Sequence, residues 1–358
     1  MLTLLQWWKP LFKGVSIALA GLPQQGIQLS YGYRRLPAFG DVSHGGIVKF
    51  QRLNEFLPNR PYRFNILYMV SSSYPSDGDQ LCRFAQRKGA KFVWNQDGVA
   101  YPAWMSSGWE ESNIKMARFL HAADYVFYQS EFARSSADKF LGKRVGPSEI
   151  LYNAVDTTLF CPQRIRKTPG KLTLLVMGSQ YHKYRLESSI RALACIRKPR
   201  PHTRMLVAGK IWDHVLAPVE KLISDLRLED SIEFVPPFPQ KQAVEIFHQC
   251  DILLHTKIQD PCPGVVIEAM ACGVPVVYSL SGGVPELVGE GAGVGVPTET
   301  SWKRQLPPAP ELWAEAVLTV AEDLMRYSEA ARQQAVQNFD IRPWIDRHRQ
   351  VFCQLLQD

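Results

Sequence analysis

Two acidic residues, Asp260 and Glu268, flank the start of a predicted helix over residues 265–272 in the stretch DPCPGVVIEAMACG. A helix N-terminus exposes unpaired backbone N–H groups and the positive end of the helix dipole, and both suit a phosphate. An anionic group is therefore predicted to bind at the loop-to-helix junction, which is formed by Pro263, Gly264 and Val265.

The two carboxylates suit hydroxyl groups rather than the phosphate itself, because like charges repel. Asp260 precedes the helix and fits the hydroxyls of a sugar, whereas Glu268 lies about one turn inside and fits a second pair, such as those of a ribose. An anion between two hydroxyl-bearing rings describes a nucleotide sugar. The alternative is an ordinary βαβ unit, with Asp260 in a solvated loop and Glu268 on an exposed helix face.

The elements around this stretch predict a parallel α/β architecture. Apolar runs over residues 251–255 and 275–278 are typical of buried parallel strands, so the unit is strand, loop, helix, strand. The same alternation recurs along the chain, and 358 residues are enough for two domains. In doubly wound sheets, ligands bind beyond the carboxyl ends of the strands, where Asp260 lies.

Composition excludes several classes of function. Lys and Arg number 41 and Asp and Glu 34, which gives a net charge of +7. The sequence has no block of consecutive basic residues, so a nucleic-acid partner is weakly supported. The seven cysteines form no C-x-x-C pair and show no Cys/His spacing typical of a metal site. The sequence contains no window of about 18 apolar residues, so no membrane span is predicted.

Two motifs carry a resemblance to a known family. Residues 268–277, EAMACGVPVV, and residues 282–288, GGVPELV, resemble the signature of family 4 retaining glycosyltransferases of the GT-B fold. That signature is Glu, seven residues, then Glu-Ala-Met-Ala-x-Gly-x-Pro-Val-Val, followed by Gly-Gly-x-x-Glu. Asp260 stands in place of the first Glu. The resemblance is clear over about residues 150–355.

The resemblance implies two Rossmann-like, doubly wound parallel-sheet domains that face each other across a cleft. An acceptor-side domain is expected over residues 1–162, with a C-terminal helix over residues 343–358 crossing back to it. A nucleotide-sugar donor domain is expected over residues 168–342.

For the donor site, the resemblance implies a basic pair after the strand at residues 172–177. Ser179 takes the place of the usual Arg, so Lys183 is the predicted phosphate cation and Arg185 the second choice. The alternative for Lys183 is a solvated helix start. Phe238 is expected to stack on the nucleobase, or else to be a core aromatic. The predicted catalytic residues are Asp260, Lys183 and Glu268.

For the acceptor side, the resemblance points to the Gly-rich start of a helix and to the end of a strand. Gly45 and Gly46 would let the backbone approach a ligand closely. His44 fits a helix entry better than a catalyst. Gln96 stands where the family often has a His, and Asp97 is the predicted acceptor contact.

The N-terminal segment combines Trp7, Trp8, Lys9 and Phe12, residue types that favour a membrane interface. With the positive net charge, these residues predict peripheral contact with an anionic membrane. The alternative is that the segment packs on the protein's own surface.

The predicted function is transfer of a hexose from a nucleotide-diphosphate sugar to a hydroxyl of a saccharide or lipid-linked acceptor, with retention of configuration and without a metal or other cofactor. Synthesis of a cell-surface polysaccharide or glycolipid on the cytoplasmic side is expected. Alternatives are a nucleotide-sugar-binding GT-B protein without transferase activity and a sugar-nucleotide epimerase. A nicotinamide-dependent dehydrogenase is disfavoured, because no G-x-G-x-x-G follows the first strand.

Overall fold

The computed structural model describes residues 21–23, 25–38, 40–43, 45–163 and 171–357. The N-terminal segment with Trp7, Trp8, Lys9 and Phe12 lies outside these ranges, and so does His44. Among the described residues, no helix is long and apolar enough to cross a membrane.

The chain divides into two compact units. The first comprises Met1–Tyr101, Met105–Tyr152 and Arg342–Asp358. The second comprises Asn153–Ile341 together with Pro102–Trp104, three residues that come from the middle of the first unit's sequence.

A sheet of five parallel strands forms the centre of the first unit, in the order β1-β2-β3-β4-β5. The strands are β1 (Leu29–Ser30), β2 (Ile66–Val70), β3 (Lys91–Gln96), β4 (Tyr125–Tyr128) and β5 (Ser148–Ile150). The helices between them are α1 (Gly45–Phe56), α2 (Gly78–Arg87), α3 (Trp109–Ala122) and α4 (Glu131–Leu141). Every residue of β2 is buried, as expected for a parallel strand covered on both faces. Ser130 caps α4: its Oγ accepts the Ala133 N–H at 2.9 Å.

The second unit has a six-stranded parallel sheet. Its strands are β6 (Thr173–Met177), β7 (Arg204–Ala208), β8 (Ile232–Val235), β9 (Ile252–His255), β10 (Val276–Ser279) and β11 (Gly293–Val296). Its helices are α5 (Lys183–Ile196), α6 (Asp213–Asp225), α7 (Ala243–His248), α8 (Gly264–Ala271), α9 (Val284–Val288), α10 (Pro310–Glu322) and α11 (Leu324–Asn338). Lys183 and Arg185, the two candidate cations, both lie in the first turn of α5.

The strand order of this second sheet, β11-β10-β9-β6-β7-β8, contains a topological switch point. From β6 the chain proceeds to β7 and β8 on one side, whereas β9, β10 and β11 continue on the other. β6 and β9 are neighbours, with Leu174 opposite Ile252. Connections on opposite faces of the sheet leave a crevice at the carboxyl ends of two such strands, which is where doubly wound folds bind ligands.

The last helix of the chain, α12 (Ile341–Gln357), buries His348 in the first unit. Its Nε2 lies 3.2 Å from the Tyr68 hydroxyl and its Nδ1 lies 2.8 Å from the Trp344 carbonyl oxygen. Burial, and then the charges of Lys49 and Arg347, lower the pKa of His348 to about 3, although the bond to Trp344 opposes them. The folded chain therefore holds this imidazole neutral.

We expect the chain to become less stable as the pH is lowered, partly because His348 is protonated in the unfolded chain but not in the folded one. Its pKa rises on unfolding from about 3 to an ordinary 6.5, so the stabilisation is complete above pH 6.5 and is lost as the pH falls below it. The loss attributable to this residue is about 2 kcal/mol by pH 5. Denaturant unfolding at pH 7.5 and pH 5 would test this. His348→Gln should lose less stability than wild type between the two values, and an equal loss would show that His348 titrates normally.

Candidate active site

Two loops meet at the switch point of the second unit and form one site. The loop after β6 leads into α5, and the loop after β9 leads into α8. The Thr256 hydroxyl donates to the Arg185 carbonyl oxygen at 2.9 Å, and the Ile258 N–H donates to the Tyr184 hydroxyl at 3.0 Å. These bonds fix the residues after β9 against the first turn of α5.

Asp260 lies at the centre of this site and is buried. Its Oδ2 is 3.1 Å from His255 Nε2, and its Oδ1 is 3.0 Å from the Lys257 ammonium. Burial alone would raise the pKa of Asp260, but the Lys257 charge and the His255 hydrogen bond hold it well below the ordinary value. The site therefore contains a permanently ionised carboxylate.

The Gly-Gly motif positions the backbone of Asp260. Gly282 has φ +70°, and a Cβ there would lie 2.5 Å from the Asp260 carbonyl oxygen. The Gly283 N–H donates to that same oxygen at 2.9 Å. Gln259, with φ +55°, is one of two described non-glycine residues at positive φ, and its N–H donates to Ser281 Oγ. This strained loop is thus held by the segment after β10, which accounts for the two glycines.

Glu268 lies one turn inside α8 and is also buried. Its Oε1 accepts a hydrogen bond from the Gln240 side-chain amide. Pro263 is the N-cap residue of α8, and the helix begins at Gly264, one residue before the predicted start. Because neither acid is exposed, the interpretation of this stretch as an ordinary unit with solvated acids is wrong.

We expect Glu268→Gln to weaken the binding of a nucleoside diphosphate while the fold stays intact. Replacing a charged acceptor with an amide removes about 1.5–3 kcal/mol per hydrogen bond, or roughly 10- to 100-fold in affinity. Calorimetric titration with the diphosphate and with the matching 2′,3′-dideoxynucleoside diphosphate would measure it. The mutation should matter little for the dideoxy compound. Equal losses of affinity with both compounds would show that Glu268 does not bind the ribose hydroxyls.

The two candidate cations lie in different surroundings. Arg185 is buried, 4% exposed, and its Nη1 donates to the Ser179 carbonyl oxygen at 2.7 Å. The side chain of Lys183 is 50% exposed and pairs with Glu187 at 3.1 Å, one turn along α5. The structure therefore brings Arg185 to the site, together with Ser179, and places Lys183 on the surface of the helix.

Unsatisfied polar atoms cluster around the same two loops. Among the described residues, four buried side-chain atoms near the site have no hydrogen-bond partner: Gln180 Oε1, His182 Nε2, Arg185 Nε and Gln259 Oε1. Buried polar atoms in folded proteins nearly always have partners, so such a cluster indicates a site for polar ligand atoms. None of the four except Arg185 was predicted from the sequence.

Phe238 lies in the loop between β8 and the 3₁₀ turn at Gln240–Gln242. It is partly buried, and no ring contact to it occurs within the described part of the chain. A core aromatic would have such neighbours. Because Gln240 bonds Glu268, this loop reaches the α8 side of the site.

In the first unit, the predicted acceptor residues converge at the carboxyl ends of β2 and β3. The hydroxyls of Ser71 and Ser72 donate to the two carboxylate oxygens of Asp97. A Cβ on Gly46 would lie 2.7 Å from Ser72 Oγ, so α1 begins in contact with the same serines. Gly45, at φ +44°, is exposed.

Gln96 is buried, and its side-chain amide forms hydrogen bonds with residues close to it in the sequence. Its Oε1 accepts from Trp94 Nε1 at 2.8 Å, and its Nε2 donates to the Gly98 carbonyl oxygen. This residue is therefore occupied with local structure. No group of three or more His, Cys, Asp or Glu residues arranged to hold a metal occurs in the described ranges.

Comparison with known proteins supports a glycosyltransferase domain. Residues 161–334 match the family described as Glycosyl transferases group 1, and this range lies within the second unit. A D-inositol 3-phosphate glycosyltransferase of Mycolicibacterium smegmatis is 32% identical over 94 residues, 25% of this chain and 22% of that protein.

Longer matches are less similar. A GDP-mannose-dependent alpha-(1-6)-phosphatidylinositol monomannoside mannosyltransferase of the same organism is 27% identical over 58% of this chain and 57% of its own length. One component of the Arabidopsis thaliana phosphatidylinositol N-acetylglucosaminyltransferase is 23% identical over 43% of this chain and 34% of its own length. The aligned parts of this chain thus span about a fifth to somewhat over half of these relatives.

Solved structures share the fold across most of the chain. Sucrose-phosphate synthase from Thermosynechococcus elongatus has a TM-score of 0.69 at 18% identity, covering 83% of this chain and 75% of that one. HepE from Anabaena, in complex with UDP, has a TM-score of 0.66 at 18% identity, with 81% and 79% covered. The chain therefore has the GT-B fold of two Rossmann-like α/β domains, and a stretch of its second unit, residues 161–334, is similar to the Glycosyl transferases group 1 family.

Proposed function

We propose that the chain is a retaining glycosyltransferase of family 4 that moves a hexose from a nucleotide-diphosphate sugar to an acceptor hydroxyl. The observation that carries the proposal is the switch-point site of the second unit. It combines an ionised, buried Asp260 with a buried Arg185 whose Nε has no partner among the described residues. A carboxylate for hydroxyls and a cation for phosphates are the two groups that a nucleotide sugar needs.

In this proposal the diphosphate lies at the N-terminus of α8, against Pro263, Gly264 and Val265. Arg185 supports it from α5, and its fork of N–H groups suits phosphate oxygens. Glu268 receives the ribose hydroxyls and Phe238 stacks on the base. Asp260 receives hydroxyls of the sugar.

Transfer breaks the bond between the sugar C1 and the diphosphate oxygen, and the electron pair leaves with the diphosphate. The acceptor oxygen bonds C1 on the same face, and its proton passes to the departing phosphate oxygen. The growing negative charge on the leaving group is stabilised by Arg185 and the α8 N-terminus, and such preorganised stabilisation is usually the largest catalytic contribution. The proposal includes no metal, so transfer is expected to continue in EDTA.

The proposed acceptor is a hydroxyl of a saccharide or of a lipid-linked polyol. Relatives of this chain are named for D-inositol 3-phosphate and for phosphatidylinositol monomannoside, which motivates the class. Asp97, Gly45 and Gly46 are the proposed contacts on this side. The proposal includes peripheral contact with the cytoplasmic face of a membrane through Trp7 and Trp8, by which the protein would reach a lipid-linked acceptor.

A thermal-shift panel of nucleotide sugars tests the donor assignment. A ligand that binds only the native state raises the melting temperature. At a ligand concentration of one hundred times Kd, the free energy of unfolding increases by about 2.7 kcal/mol. We expect one base to stabilise both as the free diphosphate and as the nucleotide sugar, with release of diphosphate on incubation with acceptor. A panel of UDP-, GDP-, ADP-, CDP- and dTDP-sugars without any shift would overturn the proposal.

A further inference from the structure

Lys257 occupies an unusual position beside Asp260. Its ammonium lies 3.0 Å from Asp260 Oδ1 and 4.8 Å from the centroid of the Trp104 ring. The side chain is 18% exposed, so it is largely desolvated but still reached by solvent. An ammonium has three donors, and within the described residues Asp260 is the one hydrogen-bond acceptor recorded for it.

The two cations of this site are in different surroundings. Lys257 lies beside Asp260, whereas the Nε of the buried Arg185 has no hydrogen-bond partner among the described residues. Burial first, and then the charges of Arg185 and Lys257, lower the pKa of His182, so this imidazole is neutral. Burial and the same two cations also lower the pKa of His255, although Asp260 opposes them. A buried cation whose donors are not all satisfied is costly unless an anion compensates it.

Trp104 provides a fixed platform for this lysine. The Ala103 N–H donates to the Trp302 carbonyl oxygen at 2.9 Å, and the Gln305 amide donates to the Ala103 carbonyl oxygen at 2.7 Å. The Trp104 ring also packs edge-on against Tyr181, with centroids 4.8 Å apart. A lysine on an aromatic face can move its ammonium without losing the packing of its stem.

We propose that Lys257 exchanges partners when the donor binds: it pairs with Asp260 in the empty site and turns to the donor diphosphate in the occupied one. The exchange frees Asp260 Oδ1 to accept a hydrogen bond from a sugar hydroxyl. Binding of the diphosphate therefore makes this carboxylate available to bind the sugar. This inference rests on the proposed function. It adds a cation that neither the motif spacing nor the basic pair at α5 indicates, together with an order of events.

The test compares Lys257→Met, Asp260→Asn and the double variant. Methionine keeps most of the unbranched stem on Trp104 and removes the charge. Calorimetric titrations use UDP, GDP, ADP, CDP and dTDP, and the nucleoside of whichever base binds. We expect Lys257→Met to weaken diphosphate binding by about tenfold, with nucleoside binding unchanged, since a charged hydrogen bond is lost.

Asp260→Asn gives the sharper result. Removing the competing carboxylate releases Lys257, so diphosphate affinity should rise by about fivefold, as expected for a lost repulsive neighbour at intermediate dielectric. That gain should be absent when Lys257 is already Met. The double variant removes both members of the Lys257–Asp260 pair, so neither is left behind as an unpaired charge. Lys257→Arg should bind the diphosphate within about threefold of wild type. Lys221→Met removes an exposed lysine paired with Asp225 and should change nothing.

The outcomes separate the two proposals. If wild type binds none of the five diphosphates, the proposed function and this inference fall together. If wild type binds one and folded Lys257→Met binds it equally, this inference alone falls. If Lys257→Met weakens binding but Asp260→Asn brings no gain, the exchange is overturned, because Lys257 is then a simple phosphate ligand.

Discussion

Asp260→Asn is expected to lower sugar transfer by about 100-fold or more while the affinity for the nucleoside diphosphate does not fall. The carboxylate lies at the switch point with both oxygens engaged, by His255 and Lys257, and its ionisation is secured by them. An amide offers one acceptor instead of two and carries no charge. Loss of about 2.7 kcal/mol of transition-state stabilisation corresponds to the stated factor.

Steady-state rates and calorimetry on the same preparation decide this. Asp225→Asn is the matched control, because Asp225 is an exposed carboxylate that also pairs with a lysine. Asp260→Glu should be poorly active too, since the loop is fixed by Gly282 and leaves little freedom to retract a longer side chain. Wild-type transfer by Asp260→Asn would make this carboxylate a bystander and leave Glu268 as the main acid of the site.

Arg185→Ala is expected to lower kcat/KM by about 100- to 1000-fold, whereas Lys183→Ala changes it by no more than about threefold. Arg185 is buried and has an unpartnered Nε among the described residues, so it can meet charge that grows on the leaving diphosphate. Lys183 is half exposed and pairs with Glu187. Exposed pairs of this kind contribute little.

Folding is checked separately for Arg185, because its Nη1 also holds the Ser179 carbonyl oxygen. Arg185→Lys keeps a charge and should recover part of the activity, though not the fork geometry. The reverse ranking, with Lys183→Ala crippled and Arg185→Ala active, would restore Lys183 as the phosphate cation and contradict the site described above.

The choice between these two cations shows why spacing alone could not identify the site. The sequence predicts a helix that starts near Leu186, with both residues in the loop before it. The helix begins at Lys183 instead, so the two residues lie on it about 200° apart around the axis. Arg185 is buried, whereas the side chain of Lys183 is half exposed. A three-residue error at the start of the helix was enough to conceal this.

The architecture was more predictable than the site. Long apolar runs gave β6, β9 and β10 close to their observed limits, because parallel strands buried on both faces need such runs. β11, with the sequence GVGV, was not predicted, since glycine is typical of turns. A Cβ on Gly293 would lie 2.0 Å from the Val276 carbonyl oxygen, so close packing against β10 explains the glycine.

The contacts of Asp260 could be predicted only in part. Its spacing to Glu268 indicated two hydroxyl-binding acids, and both proved to be buried at one site. His255 and Lys257 lie five and three residues before it, and their side chains reach it because Gln259 adopts φ +55° and Gly282 admits the loop. A conformation imposed by a distant segment leaves no local sequence signal.

The most direct test of the account is a donor-turnover measurement by ³¹P nuclear magnetic resonance. Wild-type protein is incubated with each nucleotide sugar of the five-base panel and a pool of polyol and lipid-linked acceptors, and the spectra follow conversion of the diphosphodiester to free nucleoside diphosphate. We predict release from one donor, slowed by about 100-fold or more in Arg185→Ala and Asp260→Asn and unchanged in Asp225→Asn. Release that persists in both site variants, or no release and no binding across the panel, would contradict a nucleotide-sugar site at the switch point of the second unit.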